Sequence, residues 1–183
     1  MDHFESVIST LLEEEGYWVR RSFKVNLTPD EKRQVGKPTI PRPEIDLLAL
    51  KFSGNETEVI AFEAKSFLDS LGVRIDEIQK EQDLQEGPYK LFTSQHYRKV
   101  VFSRLKQDLI EKGMAKSSTT ITLGLAAGKV YQKQSEPMRE FMKKNNWVFW
   151  SPEDIKRKIK ALAAPGRGYE NDPVIITAKL LDR

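Results

Sequence analysis

Residues 58–65 read Glu58-Val59-Ile60-Ala61-Phe62-Glu63-Ala64-Lys65, an apolar run that ends in a charged tripeptide. Its β-branched and aromatic residues predict a strand. Because side chains alternate between the two faces of a strand, Glu63 and Lys65 point to the same face, roughly 6–7 Å apart. Phe62 and Ala64 then point to the opposite, packed face. The stretch therefore predicts a strand that carries a carboxylate and an ammonium group side by side at its end.

A second charged strand precedes this one along the chain. It reads Glu44-Ile45-Asp46-Leu47-Leu48-Ala49-Leu50, and a turn at Ser53-Gly54-Asn55 predicts that the two strands form a hairpin. Asp46 and Glu63 would then lie at the ends of neighbouring strands, near the core. Charges near a core are costly unless they are paired or bound to a metal ion. A divalent cation held by Asp46 and Glu63, with Lys65 near an attacking water, would account for the arrangement.

The composition excludes several kinds of site. The chain has no cysteine, which excludes disulfides, thiolate zinc sites and cysteine nucleophiles. Its two histidines, His3 and His96, argue against a zinc site and most histidine-based triads. A catalytic metal would therefore be held mainly by oxygen, which favours Mg²⁺ or Mn²⁺. The net charge of +3 permits a nucleic-acid partner without requiring one.

Length and hydropathy predict a single domain over residues 1–183. No apolar run reaches the length of a transmembrane helix, and the N-terminus lacks a signal-peptide pattern. We therefore expect no membrane association and a cytoplasmic location.

The rest of the sequence alternates between helix and strand patterns. Residues 26–43 are rich in proline and glycine, which predicts a loop. A hairpin followed by β-α-β crossovers predicts an α/β fold with a mixed β-sheet flanked by helices. The predicted helices are residues 3–15, 73–86, 94–112, 136–145 and 151–164, and the predicted strands are residues 17–25, 45–52, 58–65, 121–127, 147–150 and 174–181.

The placement of these residues resembles the PD-(D/E)XK nuclease superfamily. That family has a helix with a glutamate, a strand, an acidic residue opening the next strand, and Glu-x-Lys ending the third. Glu5, Pro43-Glu44-Ile45-Asp46 and Glu63-Ala64-Lys65 occupy these places here. Residues 11–17 are similar to the beginning of archaeal Holliday-junction resolvases. The motifs that carry the resemblance lie within residues 3–90. In the remainder of the chain, only the order of helices and strands is similar.

This resemblance implies a restriction-endonuclease-like fold with an αβββαβ core and C-terminal β/α additions. The sequence departs from the family in one respect, since two residues separate Pro43 from Asp46. A literal Pro29-Asp30 dipeptide does exist, but it lies in the proline-rich loop with no apolar strand behind it, so we interpret it as a decoy.

The activity implied by the resemblance is Mg²⁺- or Mn²⁺-dependent hydrolysis of DNA phosphodiester bonds. Asp46, Glu63 and the backbone carbonyl of Ala64 would bind the metal. Lys65 would position the attacking water or stabilise the developing charge. Glu5 would complete the metal shell, directly or through water, or help to hold a second ion.

Nucleic-acid contacts are predicted for basic and amide side chains near this site, namely Lys32, Arg33, Lys37, Arg42, Gln79 and Gln82. Gln85 and Tyr89 fit a Gln-x-x-x-Tyr motif of some nucleases in the superfamily, although Gly87-Pro88 would break the helix on which it normally lies.

Three alternatives remain open from the sequence. They are a non-catalytic DNA-binding relative of the same fold, an RNA-directed nuclease, and an interaction protein whose strand-end charges are only surface pairs. Many small nucleases of this superfamily cut as dimers, so a homodimer is one expectation. A protein partner that supplies specificity is another.

Overall fold

A computed structural model describes residues 3–36, 39, 41–54, 56–81, 87–164 and 171–181. It contains one five-stranded sheet, formed by β1 (Trp18–Lys24), β2 (Glu44–Ser53), β3 (Glu56–Lys65), β4 (Ile121–Ala127) and β5 (Val148–Trp150). The strands follow one another in the order β1-β2-β3-β4-β5. Pairing is antiparallel from β1 to β3 and parallel from β3 to β5, so the sheet is mixed, as predicted.

Helices cover both faces of this sheet. The α-helices in the described residues are α1 (His3–Glu14), α2 (Pro29–Gln34), α3 (Ile75–Ile78), α4 (Lys90–Thr93), α5 (Gln95–Glu111), α6 (Ser135–Lys144), α7 (Pro152–Leu162) and α8 (Pro173–Leu181), and a 3-10 helix spans Tyr131–Lys133. The apolar sides of α1, α7 and α8 pack with Phe62 and Ala64 on one face. The apolar sides of α5 and α6 pack with Val59 and Ala61 on the other. This arrangement confirms the predicted α/β class with flanking helices. None of the described helices is long and apolar enough to cross a membrane.

The first helix follows its predicted amphipathic pattern. Ile8, Leu11 and Leu12 are buried against the sheet. Gly16 ends the helix in the left-handed conformation, with a φ of 86°. There the amide of Tyr17 donates to the carbonyl of Leu12 at 3.1 Å, a closure that favours glycine at the turn. The chain is thereby turned directly into β1.

The predicted loop at residues 26–43 contains a short helix that the sequence prediction missed. Thr28 caps α2, since its hydroxyl accepts from the amide of Glu31 while the Glu31 carboxylate accepts from the amide of Thr28. The same carboxylate accepts hydrogen bonds from the guanidinium of Arg104 on α5, with N–O distances of 2.8–3.0 Å. This contact fixes α2 against the long helix α5. The Thr-Pro-Asp-Glu sequence at positions 28–31 is a capping-box signal, which the prolines of the segment obscured.

Two further predictions differ from the structure. The strand predicted at residues 174–181 is wrong, because this segment forms α8. Its helical form is explained by Asp172, whose carboxylate accepts from the amides of Val174 and Ile175 at 2.8 and 3.1 Å, and by Pro173 in the first turn. The helix predicted over 73–86 is only one turn long in the described part, since only α3 is formed there.

Candidate functional site

The predicted cluster lies where β2 and β3 part. Their ladder runs from the hairpin turn to the pair Leu47↔Phe62 and stops there. Beyond this pair, the backbone amide of Ala64 on β3 donates to a side chain of β2 rather than to its backbone. The acceptor is Oδ2 of Asp46, at 2.9 Å. The separation of the two strands therefore leaves the Asp46 and Glu63 side chains facing a common space.

Lys65 occupies that space between the two carboxylates. Its Nζ lies 3.1 Å from Oδ2 of Asp46 and 2.9 Å from Oε2 of Glu63. The side chains are mostly buried, at 19% exposed for Lys65, 20% for Asp46 and 12% for Glu63. The structure thus brings together the three residues that the sequence predicted as the centre of the site.

The edge strand β1 shows a local distortion next to Asp46. Its register pairs are Arg21↔Leu47 and Phe23↔Ile45, so Ser22 is the residue opposite Asp46. Ser22 has a φ of 50°, in the left-handed region that costs a non-glycine residue energy. Ile45 and Leu47 also pack on opposite faces of the sheet, although regular alternation would give them the same face. The strand alternation is therefore broken at Asp46.

The cluster carries an uncompensated negative charge, since two carboxylates share one ammonium group. Burial raises the pKa of Glu63 to about 7, with Lys65 opposing the rise and Asp46 adding to it. Burial alone would lower the pKa of Lys65, but the carboxylates of Glu63 and Asp46 outweigh burial and raise it. Lys65 thus stays charged, while the second carboxylate lacks a full counter-charge.

These residues fit a hard divalent cation in charge and donor type. Asp46 and Glu63 already converge on one cation, the Lys65 ammonium, and carboxylate oxygens are the ligands that Mg²⁺ and Mn²⁺ prefer. The protein would supply only these two side chains as ligands, because the described residues include no group of three or more Asp, Glu or His side chains arranged to hold a metal ion. Further ligands would come from water or substrate, as is usual for Mg²⁺.

Glu5 is not grouped with these two carboxylates in the structure. It lies on α1, whose apolar side packs on the sheet face that carries Phe62 and Ala64. Glu63 and Lys65 alternate with those residues and point to the other face. The role predicted for Glu5, and that of the Ala64 carbonyl, therefore stay predictions.

A cavity of about 800 Å³ opens beside Glu63 on the α5 side of the sheet. Arg42 is one of the residues that line it, and its predicted contact with nucleic acid stays a prediction. Lys32 and Arg33 lie on α2 instead, where exposed Arg33 pairs with Asp30, and Gln79 is an exposed residue at the end of α3. None of these last three is among the described side chains that line the cavity. Lys37 and Gln82 lie outside the described residues.

Lys90 and Tyr97 adjoin the site but were not assigned to it from sequence. Lys90 lines the cavity together with Glu63 and lies over the ring of Tyr97, with Nζ 6.0 Å from the ring centroid. No motif indicated Lys90, because its segment reaches Glu63 only through tertiary packing. Its neighbour Tyr89, which the Gln-x-x-x-Tyr pattern did indicate, is 3% exposed, and its hydroxyl has no hydrogen-bond partner in the described part of the chain. Burial raises the pKa of that hydroxyl to about 12.

Comparison with known proteins gives no family model, no curated protein and no solved structure that matches this chain significantly. The class of protein that can be stated from the fold is an α/β protein with a mixed five-stranded sheet.

Proposed function

We propose that this chain is a metal-dependent nuclease that hydrolyses DNA phosphodiester bonds. One observation carries the proposal: Asp46 and Glu63, from two strands that part at this point, converge on Lys65 within 3.1 Å. Buried carboxylates with less than full compensation are unfavourable in a structural role, because replacing such groups by apolar side chains is often stabilising. A functional requirement for the negative charge accounts for their presence.

Each side chain has a distinct task in this proposal. Asp46 is held in place by the amide of Ala64, which donates to its Oδ2, and its carboxylate would hold the metal together with that of Glu63. A bound Mg²⁺ or Mn²⁺ supplies a water of lowered pKa and neutralises a phosphate oxygen. Lys65 positions that water or stabilises the charge that develops on the phosphate. The family resemblance of the Glu-x-Lys strand supports the same assignment.

Calorimetric titration with Mg²⁺ and Mn²⁺ tests the carboxylate site directly. We expect wild-type protein to bind and Glu63→Gln to lose binding, because the variant removes one of two charged ligands. Glu58→Gln is the matched control, since it makes the same substitution on the same strand at an exposed position. DNA is added if neither ion binds alone, so that substrate phosphate can complete the metal shell. Equal binding by wild type and Glu63→Gln contradicts the proposed metal site.

Cleavage of DNA tests the activity. We expect Mn²⁺-dependent hydrolysis that is lost in Lys65→Ala, because this residue acts on the water or the phosphate. A rate unchanged by this substitution contradicts the assignment. Comparison of DNA with RNA of the same sequence separates a DNA-directed from an RNA-directed nuclease, since a 2′-hydroxyl requirement marks the latter.

A non-catalytic nucleic-acid-binding protein is the second candidate. One observation favours it: Lys65 contacts both carboxylates directly, so the pair has a counter-ion without a metal. This candidate predicts binding that weakens steeply with salt, no cleavage and no metal-dependent change in affinity.

A further inference from the structure

The cavity beside Glu63 has an uneven distribution of charge. Its charged lining residues include two carboxylates, and both are paired with cations outside the lining. Glu44 lies 3.9 Å from Lys24, and Glu63 lies 2.9 Å from Lys65. Each carboxylate that lines the cavity therefore has a cation from outside the lining beside it, and the Lys65 ammonium is shared with Asp46.

The two cations of the lining contact neutral groups instead. Arg42 donates to the side-chain oxygen of Asn26 at 3.1 Å, and Lys90 lies over the ring of Tyr97. Within the described ranges, neither cation forms a direct ion pair with a carboxylate, although Lys90 lies near enough to Glu63 to oppose the rise in the pKa of that carboxyl. Lys90 is also half-buried, so its charge is less solvated than that of an exposed lysine. The cavity therefore favours an anionic group near Lys90.

The wall behind Lys90 is apolar. Ile45, Leu91 and Val101 line it and are almost completely buried, and Tyr97, at 6% exposed, adds an aromatic side chain. The volume of about 800 Å³ falls within the range of roughly 300–1,000 Å³ that is usual for pockets of small organic ligands. An anionic contact beside an apolar and aromatic wall suits a phosphate joined to a planar base. A base that stays stacked in a duplex cannot enter such a cavity.

We propose that this cavity binds one unpaired nucleotide of a nucleic-acid strand, with its phosphate on Lys90 and its base against the wall formed by Leu91, Ile45 and Tyr97. The inference deepens the proposed function and rests on it for the role of Glu63, which borders the cavity. The substrate would then be a single strand, or a duplex with an unpaired nucleotide at the position that enters the cavity. Lys90 is then a substrate-binding residue.

Salt-dependent binding tests the phosphate contact. A labelled single-stranded DNA oligonucleotide is titrated by fluorescence anisotropy at several salt concentrations, with Ca²⁺ in place of Mg²⁺. Each phosphate contact on a single strand contributes about 0.7 to the slope of log K against log salt concentration. We expect Lys90→Met to lower that slope by about this amount and Lys90→Arg to restore it. Lys106→Met is the matched control, because Lys106 is also half-buried but lies on α5 outside the cavity lining.

Two further arms test the nucleotide itself. We expect the single strand to bind at least tenfold more tightly than a blunt duplex of the same sequence, because a paired base must be extruded from its stack before it can enter the cavity. An oligonucleotide made only of abasic units should bind about tenfold more weakly than the normal strand, since it has no base to contact the apolar and aromatic wall. Equal binding of the normal and abasic strands shows a site for phosphate alone and overturns the base-binding part. Equal salt slopes for wild type and Lys90→Met overturn the assignment of Lys90.

These outcomes are separable from those of the proposed nuclease. Strand binding that depends on Lys90, in a protein without metal binding or cleavage, upholds this inference and contradicts the nuclease. Metal-dependent cleavage of a blunt duplex, unaffected by Lys90→Met, upholds the nuclease and contradicts this inference.

Discussion

Replacing Lys65 by methionine provides the most direct test of the electrostatic account of the site. Methionine keeps the apolar stem and removes only the ammonium group that contacts both carboxylates. The Asp46 and Glu63 side chains, 20% and 12% exposed, would then face each other without a counter-ion. Breaking a buried ion pair by removing one partner costs about 3–5 kcal/mol. Because the site is partly solvated, we expect a loss near the lower end, about 3 kcal/mol.

The matched control is Lys24→Met, which also removes a lysine that pairs with a carboxylate of β2. Its ion pair with Glu44 is long, at 3.9 Å, and the two side chains are 52% and 44% exposed. Exposed pairs contribute less than about 1 kcal/mol, so this variant should be close to wild type. For a chain of this length, each kcal/mol shifts Tm by about 2–4 °C. We therefore expect Tm to fall by about 6–12 °C in Lys65→Met and by less than about 4 °C in the control.

Mn²⁺ then separates a metal site from a structural ion-pair cluster. Removal of the ammonium leaves a charge of −2 at the carboxylates, so Lys65→Met should bind Mn²⁺ at least as tightly as wild type. At an ion concentration one hundred times Kd, the bound ion stabilises the protein by about 2.7 kcal/mol, which restores most of the loss. Differential scanning calorimetry with and without Mn²⁺ measures both effects. If Lys65→Met is as stable as Lys24→Met, Lys65 does not stabilise the two carboxylates as proposed. If Mn²⁺ stabilises neither wild type nor Lys65→Met, the carboxylates do not form a metal site.

Three further predictions concern stability. Burial alone would raise the pKa of Asp154, but hydrogen bonds from Arg139 and Ser151 outweigh burial and lower it to about 2, from 3.8 when unfolded. Its contribution of about 2 kcal/mol is therefore complete above pH 3.8 and disappears as pH falls through 2. In urea denaturation at a series of pH values, Asp154→Asn should remove this dependence, and an unchanged pH profile would contradict the assignment. Gly124→Ala should lower the free energy of unfolding by about 1–3 kcal/mol, because the new Cβ would lie 2.8 Å from the buried ring of Phe62; a neutral effect in urea denaturation would show that the ring can move. Tyr89→Phe should change the free energy of unfolding by less than about 1 kcal/mol, since the Tyr89 hydroxyl forms no hydrogen bond with the residues that the structure describes. A larger loss in the same assay would indicate that the hydroxyl does form a hydrogen bond.

The hairpin could be predicted because its determinants are local. The alternation of residues 58–65 and the turn after Ser53 set the pairing of β2 with β3, and that pairing brings Asp46 next to Glu63. Lys65 follows from the same alternation. The centre of the candidate site therefore depends on contacts between segments fewer than twenty residues apart, which a sequence pattern can encode.

Other elements depended on signals that competed with one another. Residues 174–181 are rich in β-branched residues, which favour a strand, yet Asp172 and Pro173 cap a helix whose apolar side packs with α1 and α7. At residues 28–31 the capping box outweighed the surrounding prolines. In both cases the side-chain cap determined the local structure, and composition did not indicate it.

Lys90 and Tyr97 could not have been assigned from sequence for a different reason. They lie on α4 and α5, and packing of these helices against the sheet brings them to Glu63 across a long stretch of chain. Nothing in the local pattern of residues 89–97 specifies which strand they will face. The cavity is thus a property of the tertiary structure, whereas the carboxylate cluster is largely a property of the hairpin.

The charges of the carboxylate cluster and of the adjoining cavity predict which ligand, metal ion or nucleotide, can bind without the other. Without a metal ion, the Asp46–Glu63–Lys65 cluster is negative and repels a phosphate placed beside it, whereas Lys90 and Arg42 attract one in the cavity. A nucleotide in the cavity therefore does not require the metal, but a phosphate at the carboxylates does. In the presence of EDTA we expect single-stranded DNA to bind about tenfold more weakly than with Ca²⁺, the loss of one charged contact. Anisotropy titrations measure this difference. Complete loss of binding in EDTA would place the dominant phosphate contact at the carboxylates and argue against the cavity as the primary binding site.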